Sequence, residues 1–520
     1  MITGTGDCGL DFCVHMVRVY SGLLQGLDAR LLTVEVDSDS RSFGFYLVGM
    51  ADSAVREGQL RIQNAVRNSG YHLPRCRHLV NLAPADLRKE GAAYDLTIAL
   101  GLLAEAGVLD AGLLGEFLVI GELSLDGKIK GVRGILSVLD LAERQGYRGV
   151  ILPSANGMEA SWCPRVKAFA FENLRDVVEF VMQGCLEDAP SLVHGPAAVP
   201  TVPGGAAAPR PLQPVKGQAL AKRALQVAAA GRHNILLMGP PGCGKTMLAN
   251  LFPALLPPMT PEETWDLARI YSLLHNGPER TEFLDRTGAA LHRPFRQPHP
   301  SVSLPAMVGG GAWPMPGEVT LAHSGVLFLD ELPEFRREVL EALREPLERG
   351  TVMLNRHRQS VCYPARFLLI AAMNPCPCGY YGSSGDRCRC PESLVIRYQR
   401  RISGPLLDRM DLVVCMDRVG ADEWAKDDDA TLIPPTNLTI RNLTANPGPF
   451  SQKHLTSESK HLMHRLVQGG GLSMRACQRL TRVAQTLAAM EGLETVEPQH
   501  LMEAYHFRHP RYLASSLPAP

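Results

Sequence analysis

The eight residues GPPGCGKT, Gly239 to Thr246, constrain this chain more than any other feature. They follow the apolar run Ile235-Leu236-Leu237-Met238 and precede a helical pattern, so the expected context is strand, glycine-rich turn, helix. In that context the glycines of the loop Gly239-Pro240-Pro241-Gly242-Cys243-Gly244 let its non-proline backbone N–H groups wrap phosphates, and the helix start favours their negative charge. Lys245 then reaches the β- and γ-oxygens of ATP, and Thr246 enters a Mg²⁺ shell. The octapeptide alone also fits a ligand-free glycine turn, so its neighbours decide.

Two further runs supply that context. In GVLFLDELPEF, Val326 to Leu329 read as a buried strand ending at Asp330 and Glu331. An acid at such a strand end holds the Mg²⁺ shell, and a second acid one position on polarises the attacking water. Alone, the pair is more often an ordinary strand end with a solvated acidic turn; downstream of a P-loop the functional reading dominates. RFLLIAAMN ends a third strand at Asn374, whose amide can bond a γ-phosphate or simply shape the turn before Pro375.

In this order the three strand ends resemble those of the AAA+ ATPases. The resemblance places Arg409, in ISGPLLDRMDLV, where an arginine finger reaches a neighbour's ATP, and Arg475, in LSMRACQRL, where a second sensor arginine sits. Either also fits a surface residue. Catalysis from a neighbour implies a ring.

The rest of the chain is organised around this core. From Leu31 to Gly184 short β-branched runs alternate with helical stretches, the pattern of an α/β or α+β domain. The expected layout is an atypical or disordered start at 1–15, a first domain at 16–186, a Pro/Ala/Gly linker at 187–213, an ATPase core at 214–420, a linker at 421–452 and a helical lid at 453–520.

The chain beyond its first residues closely resembles the YifB/ComM family of magnesium-chelatase-like AAA+ ATPases. The most specific stretches are VNLAPADLRKEGAAYDLTIALGLLA, RPFRQPHPSVSLPAMVGGGAWPMPGEVTLAHSGVLFLDELPEF and AAMNPCPCGYYG…CRCPESLVIRYQRRISGPLLDRMDLV. The resemblance implies an α/β multidomain fold: a Lon-protease-like N-terminal α/β domain, an AAA+ P-loop core with inserted hairpins, and a helical magnesium-chelatase-type C-terminal lid. It also implies a homohexamer, and its better-known members drive DNA branch migration in natural transformation. A peptidase of the Lon type needs a Ser nucleophile and a Lys base. Here Ala93 or Asp95 stands where the serine falls, and Leu136 or Ser137 where the lysine falls, so a non-catalytic scaffold or protein-interaction module is expected.

Cys376, Cys378, Cys388 and Cys390 form two C-x-C pairs separated by nine residues. Glycines between them let the pairs meet, and four thiolates suit a structural Zn²⁺ site, although an iron–sulfur site or no metal also fits. Such a knuckle would present Tyr380, Tyr381, Arg387 and Arg389 to DNA, to an adjacent subunit, or to solvent. Between the acid strand and the Asn374 strand, ERGTVMLNRHRQSVCYPARF reads as a hairpin with Arg356, His357 and Arg358 at its tip. In motors that the chain resembles this hairpin points into a pore, where arginines would touch phosphates; a solvated turn is the other reading. Trp313, in a glycine-rich loop, can stack on a base or pack in a seam, and Arg293 and Arg296 of RPFRQPHP fit a pore or interface element.

With zero net charge over 520 residues, any DNA contact must be local. The start has neither the basic nor the apolar segment of a secretory signal, the longest apolar stretch is broken by Asp95 and Glu105, and thirteen cysteines without a secretory signal fit reduced thiols. A cytoplasmic location with no membrane contact is expected. The function expected is an ATP-driven ring motor on branched or single-stranded DNA; the alternative is a chelatase-like ATPase that remodels a protein partner.

Overall fold

The computed structural model describes residues 16–50, 52–89, 91–184, 192–193, 216–274, 293–311, 314–356, 359–382, 388–418, 455–470 and 472–508. The expected start at 1–15, the linker at 421–452, Trp313, His357, Arg358 and Arg387 lie outside the described residues, as does the 187–213 linker apart from Leu192 and Val193. The chain forms two units, one of residues up to Thr201 with Ala268–Ala289, the other of Val202–Leu267 with Ala290–Pro520.

The first unit is built on a seven-stranded sheet. Its strands are β1 (Val17–Gln25), β2 (Asp28–Asp39), β3 (Gly44–Val48), β4 (Arg77–Ala83), β5 (Phe117–Val119), β6 (Gly149–Pro153) and β7 (Lys167–Phe171), in the spatial order β3-β4-β2-β1-β5-β6-β7. β2 pairs antiparallel with β1 and β4, and the remaining pairs are parallel, which gives a mixed sheet. The helix α1 (Ser53–Asn68) starts where the Asp52 carboxylate accepts the Val55 N–H at 2.8 Å. A second helix, α2 (Asp95–Glu105), is buried from Asp95 to Ala104, which explains why its sequence is apolar all round rather than striped.

The second unit holds a five-stranded sheet whose pairs are all parallel. Its strands are β8 (Ile235–Met238), β9 (Phe295–Arg296), β10 (Val326–Leu329), β13 (Leu368–Met373) and β14 (Leu412–Cys415), in the order β9-β10-β13-β8-β14; β11 (Thr351–Arg356) and β12 (Gln359–Pro364) form a separate hairpin. Side chains alternate across this sheet with period two. Ile235, Leu237, Phe328, Ile370 and Val414 enter one core, while Leu236, Met238, Leu327, Leu329, Leu369 and Val413 enter the other. Each such side chain contributes roughly 1.5–3 kcal/mol by burial, and burial on both faces is why these strands read as unbroken apolar runs.

Helix α5 (Ala219–Gly231) leads into β8, and the P-loop turns into α6 (Lys245–Leu251). At the C-terminal end α7 (Ser457–Gly470), α8 (Met474–Met490) and α9 (Pro498–His506) join the first of these cores, α7 through the partly buried Leu462 and Leu466, α8 through Leu480, Val483 and Leu487, and α9 through Leu501, with Phe507 just beyond it. Among the described residues, no helix is long and apolar enough to cross a membrane.

Candidate nucleotide and metal sites

Parallel register decides what meets at the sheet's C-terminal edge. Met238 lies beside Met373, and Leu329 beside Ala371, so the segments that follow them, at Gly239, Asn374 and Asp330, emerge together from three adjacent strands. That edge is where open parallel sheets bind ligands. Thr246 Oγ1 donates to Asp330 Oδ2 at 2.8 Å, a hydroxyl and carboxylate held side by side as a Mg²⁺ shell requires.

Lys245 Nζ donates to Gly239 O at 2.7 Å, Pro240 O at 3.0 Å and Asn374 Oδ1 at 3.1 Å. Burial lowers the pKa of this ammonium, and Cys243, 3.8 Å away, with the charges of Asp330 and Glu331 only partly offsets it. A buried cation satisfied mainly by neutral carbonyls fits a phosphate anion well. Cys243 is buried in the loop, and Gln218 braces it from outside by donating to Cys243 O at 3.3 Å and Asp417 O at 2.5 Å. Gln218 and the carboxylate's sequel Glu331 both adopt left-handed backbone, φ 57° and 52°. At Glu331 this turns the chain out of β10, leaving its side chain exposed one residue beyond Asp330.

The two arginines sit elsewhere. Arg409 O accepts from Asn234 Nδ2 at 3.0 Å, and Asn234 precedes β8 whereas the P-loop follows it. Arg409 is therefore at the opposite end of its own nucleotide strand. It is 6% exposed, with its guanidinium bonded to Glu348 and, at 2.5 Å, to Pro405 O. Arg475 is exposed on the first turn of α8. One turn later Arg479 lies 3.9 Å from Asp411, whose other oxygen accepts the Asn234 N–H at 3.0 Å. Arg475 is thus on the Arg409 side of the core and is not brought to its own P-loop. Sequence reasoning missed Glu348, Arg479 and the buried Arg508 beside them, because each is distant from Arg409 in the chain.

The four cysteines converge. All four Sγ atoms lie within 4.8 Å of one another, with Cys376 3.3 Å from Cys378 and 3.8 Å from Cys388. A tetrahedron with 2.3 Å zinc–sulfur arms has edges of about 3.8 Å, whereas a disulfide needs about 2.05 Å, so the set fits a tetrahedral metal. Tyr380 does not stand free: Arg418 donates to its hydroxyl at 3.1 Å and stacks 5.1 Å over its ring. Arg389 is exposed.

The hairpin expected around Arg356 is present, with Val352, Val361 and Tyr363 buried on one face and Met353 and Cys362 exposed on the other. Tyr363 donates its hydroxyl to Pro314 O at 2.5 Å, tying this hairpin to the glycine-rich loop. Arg293 is occupied within the chain, donating to Glu263 at 2.8 Å and to the Pro257 and Pro258 carbonyls, and Arg296 grips Glu318 through two bonds of 2.7 and 2.8 Å. These arginines lock the core rather than project from it.

In the first unit, Asp95 is buried and accepts Arg61 Nε at 2.7 Å, Ser137 Oγ donates to Leu27 O at 2.6 Å, and Leu136 is fully buried. Ala93 is half-buried, its carbonyl accepting the Gly121 N–H at 2.8 Å.

Comparison with known proteins agrees with this architecture. A model described as magnesium chelatase, subunit ChlI matches residues 211–424, one for subunit ChlI of Mg-chelatase matches 34–156, and one for the subunit ChlI C-terminal region matches 442–508. The YifB protein of Salmonella typhimurium is 39% identical over 511 residues, covering 95% of this chain and 97% of its own. The competence protein ComM of Haemophilus influenzae is 38% identical over 511 residues, covering 95% and 98%. The magnesium-chelatase 67 kDa subunit of Heliobacterium mobile is 27% identical over 324 residues, 57% of this chain and 47% of its own. With near-complete coverage at this identity, and with the P-loop, acid strand and asparagine strand side by side, the chain belongs to the YifB/ComM family of magnesium-chelatase-like AAA+ ATPases.

Proposed function

We propose that the protein is a homohexameric, ATP-hydrolysing motor acting on branched or single-stranded DNA, by branch migration or unwinding in recombination or natural transformation. The observation that carries the ring is the separation of Arg409 and Arg475 from their own P-loop, which suits arginines serving the nucleotide of an adjacent copy. Competence in the printed name of the Haemophilus relative supports the DNA reading.

Residues 239–246 bind the triphosphate, and Lys245 leaves its carbonyl partners for the β/γ oxygens. Thr246 and Asp330 are the residues that would hold Mg²⁺, which would supply neutralisation of phosphate charge. Glu331 polarises the attacking water, Asn374 senses the γ-phosphate, and Arg409 and Arg475 complete the site across the seam. Arg356, His357 and Arg358 contact phosphates in the pore. Zn²⁺ at the four cysteines is structural. In the N-terminal domain neither Ala93 nor Asp95, the residues that stand where a peptidase of the Lon type needs its serine, is a serine, and Asp95 is engaged by Arg61, which supports a non-proteolytic adaptor for a protein partner. The protein works in the cytoplasm.

A protein-remodelling ATPase is the second reading, favoured by the likeness to a magnesium-chelatase subunit. ATPase rates without DNA and with single strands, duplex and a four-way junction separate the two. Stimulation by the junction supports the motor on DNA; equal rates in all four support the remodeller.

A further inference from the structure

We propose that the four-cysteine turn is the rear wall of the nucleotide pocket: Zn²⁺ held by Cys376, Cys378, Cys388 and Cys390 positions Pro241 and Asn374, so metal and nucleotide bind in one linked equilibrium. This deepens the ATPase reading and rests on it.

The connection is short on every side. Asn374, whose Oδ1 accepts Lys245 Nζ at 3.1 Å, is separated from the ligand Cys376 by Pro375 alone. Proline's ring fixes one backbone angle of that link, and Gln399 Nε2 clamps its carbonyl at 2.8 Å. The turn then closes around the Cys376 residue: Gly379 N donates to Cys376 O at 2.9 Å, and Tyr381 N to Cys376 Sγ at 3.4 Å. Gly379 has φ +86°, and a Cβ built on it would lie 2.5 Å from Pro241 Cδ and 3.8 Å from Asn374 Cγ. The backbone of the turn therefore rests on the ring of Pro241, a rigid side chain that passes a displacement to the phosphate loop.

Besides the cysteines, the turn is held from outside by Gln399 on the Pro375 carbonyl and by Arg418 on Tyr380. Pro377 and Cys378 are exposed, and the one buried cysteine of the four, Cys376, is itself a ligand. In a loop without its own apolar core, metal binding supplies the ordering free energy. When the four sulfurs are not gathered, the Gly379–Cys376 bond and the contacts of Gln399 and Arg418 hold the turn without its cross-link, and the Lys245–Asn374 bond has a less fixed acceptor. Linkage makes the effect reciprocal: bound nucleotide must tighten Zn²⁺.

The test uses full-length protein, with zinc measured by elemental analysis, fold by circular dichroism and binding by a fluorescent ATP analogue. Zinc removal and Cys388→Ser are each expected to weaken analogue binding about tenfold, within the range of ordinary allosteric coupling, with Zn²⁺ restoring the chelated wild type. Cys388→His keeps a tetrahedral Cys₃His ligand set and is expected to restore zinc and nucleotide affinity together. Gly379→Ala leaves all four ligands in place; it should retain zinc yet bind the analogue weakly. Equal nucleotide affinity with and without metal in folded protein, normal affinity in Gly379→Ala, or zinc recovery without nucleotide recovery in Cys388→His overturns the proposal. Failure of zinc-loaded wild type to bind the analogue at all defeats the ATPase reading itself, a separate outcome.

Discussion

Lys245 and Glu331 are neighbours in the site with opposite demands on their surroundings. The ammonium is 9% exposed and burial lowers its pKa, so its charge is stabilised chiefly by what it touches. Replacing it with alanine removes charge-assisted bonds of about 1.5–3 kcal/mol, and Lys245→Ala should weaken ATP binding roughly 10- to 150-fold in a direct titration. Glu331 is exposed and touches no phosphate-binding group. Glu331→Gln should bind ATP with near-normal affinity and lose turnover by about 10²–10⁴-fold, the usual contribution of a general base. Normal turnover in Glu331→Gln would assign the base elsewhere. In the first unit burial pushes the Asp95 carboxyl up to about 6, outweighing the opposing Arg61 guanidinium. The native group holds its proton up to that pH, whereas an unfolded aspartate releases it near 3.9. Between those values the native state binds more protons, so this contribution to stability is complete below about pH 4 and is lost as pH rises through 6. Relative to the non-titrating Asp95→Asn, wild type should lose about 2 kcal/mol between pH 4 and 7 in denaturant unfolding of the N-terminal unit. A difference independent of pH would place the carboxyl's pKa at its ordinary value.

Strands and hairpins were legible where their chemistry is local. Ile235–Met238, Val326–Leu329 and Leu368–Met373 announce themselves as apolar runs because both faces of a parallel sheet are covered, and the residues one step beyond carry the polar groups. The antiparallel pairing of Thr351–Arg356 with Gln359–Pro364 follows from polar residues between two β-branched runs. Long-range partners were not legible. Nothing near Arg409 signals Glu348, 61 positions away, and nothing in RPFRQPHP signals that Glu263 and Glu318 take up its two arginines. Spacing within the cysteine cluster shows that its two pairs can meet, but the contact of Gly379 with Pro241 depends on strand order in the sheet. The hairpin offers a prediction of its own. If Arg356 and Arg358 touch phosphates, changing both to alanine should lower the slope of log K against log salt by about 1.4–1.8, the release of roughly two counterions. Anisotropy titrations on single strands and junctions at several salt concentrations read that slope directly; an unchanged slope would remove the hairpin from the DNA interface.

The largest-scale claim concerns copies of the chain rather than one copy. Arg409 lies at the far end of β8 from the loop that follows it, and Glu348, exposed at its side chain, holds the guanidinium within the chain. A triphosphate arriving from an adjacent subunit carries more charge than one carboxylate and can displace it, which makes the ion pair a resting position for the finger. In the proposed ring each active site would belong to two subunits, one giving the P-loop and the other giving Arg409. Lys245→Ala and Arg409→Ala should then each abolish turnover alone for different reasons. Mixed before assembly, the two variants should complement: a pocket from an Arg409→Ala subunit is intact wherever a Lys245→Ala neighbour supplies its arginine. With random arrangement in a closed ring, about one site in four has that pairing, so an equal mixture should recover at most roughly a quarter of wild-type ATPase activity if sites act independently. Recovery should grow with protein concentration as rings assemble, whereas a site built within one chain would give no recovery at any mixing ratio.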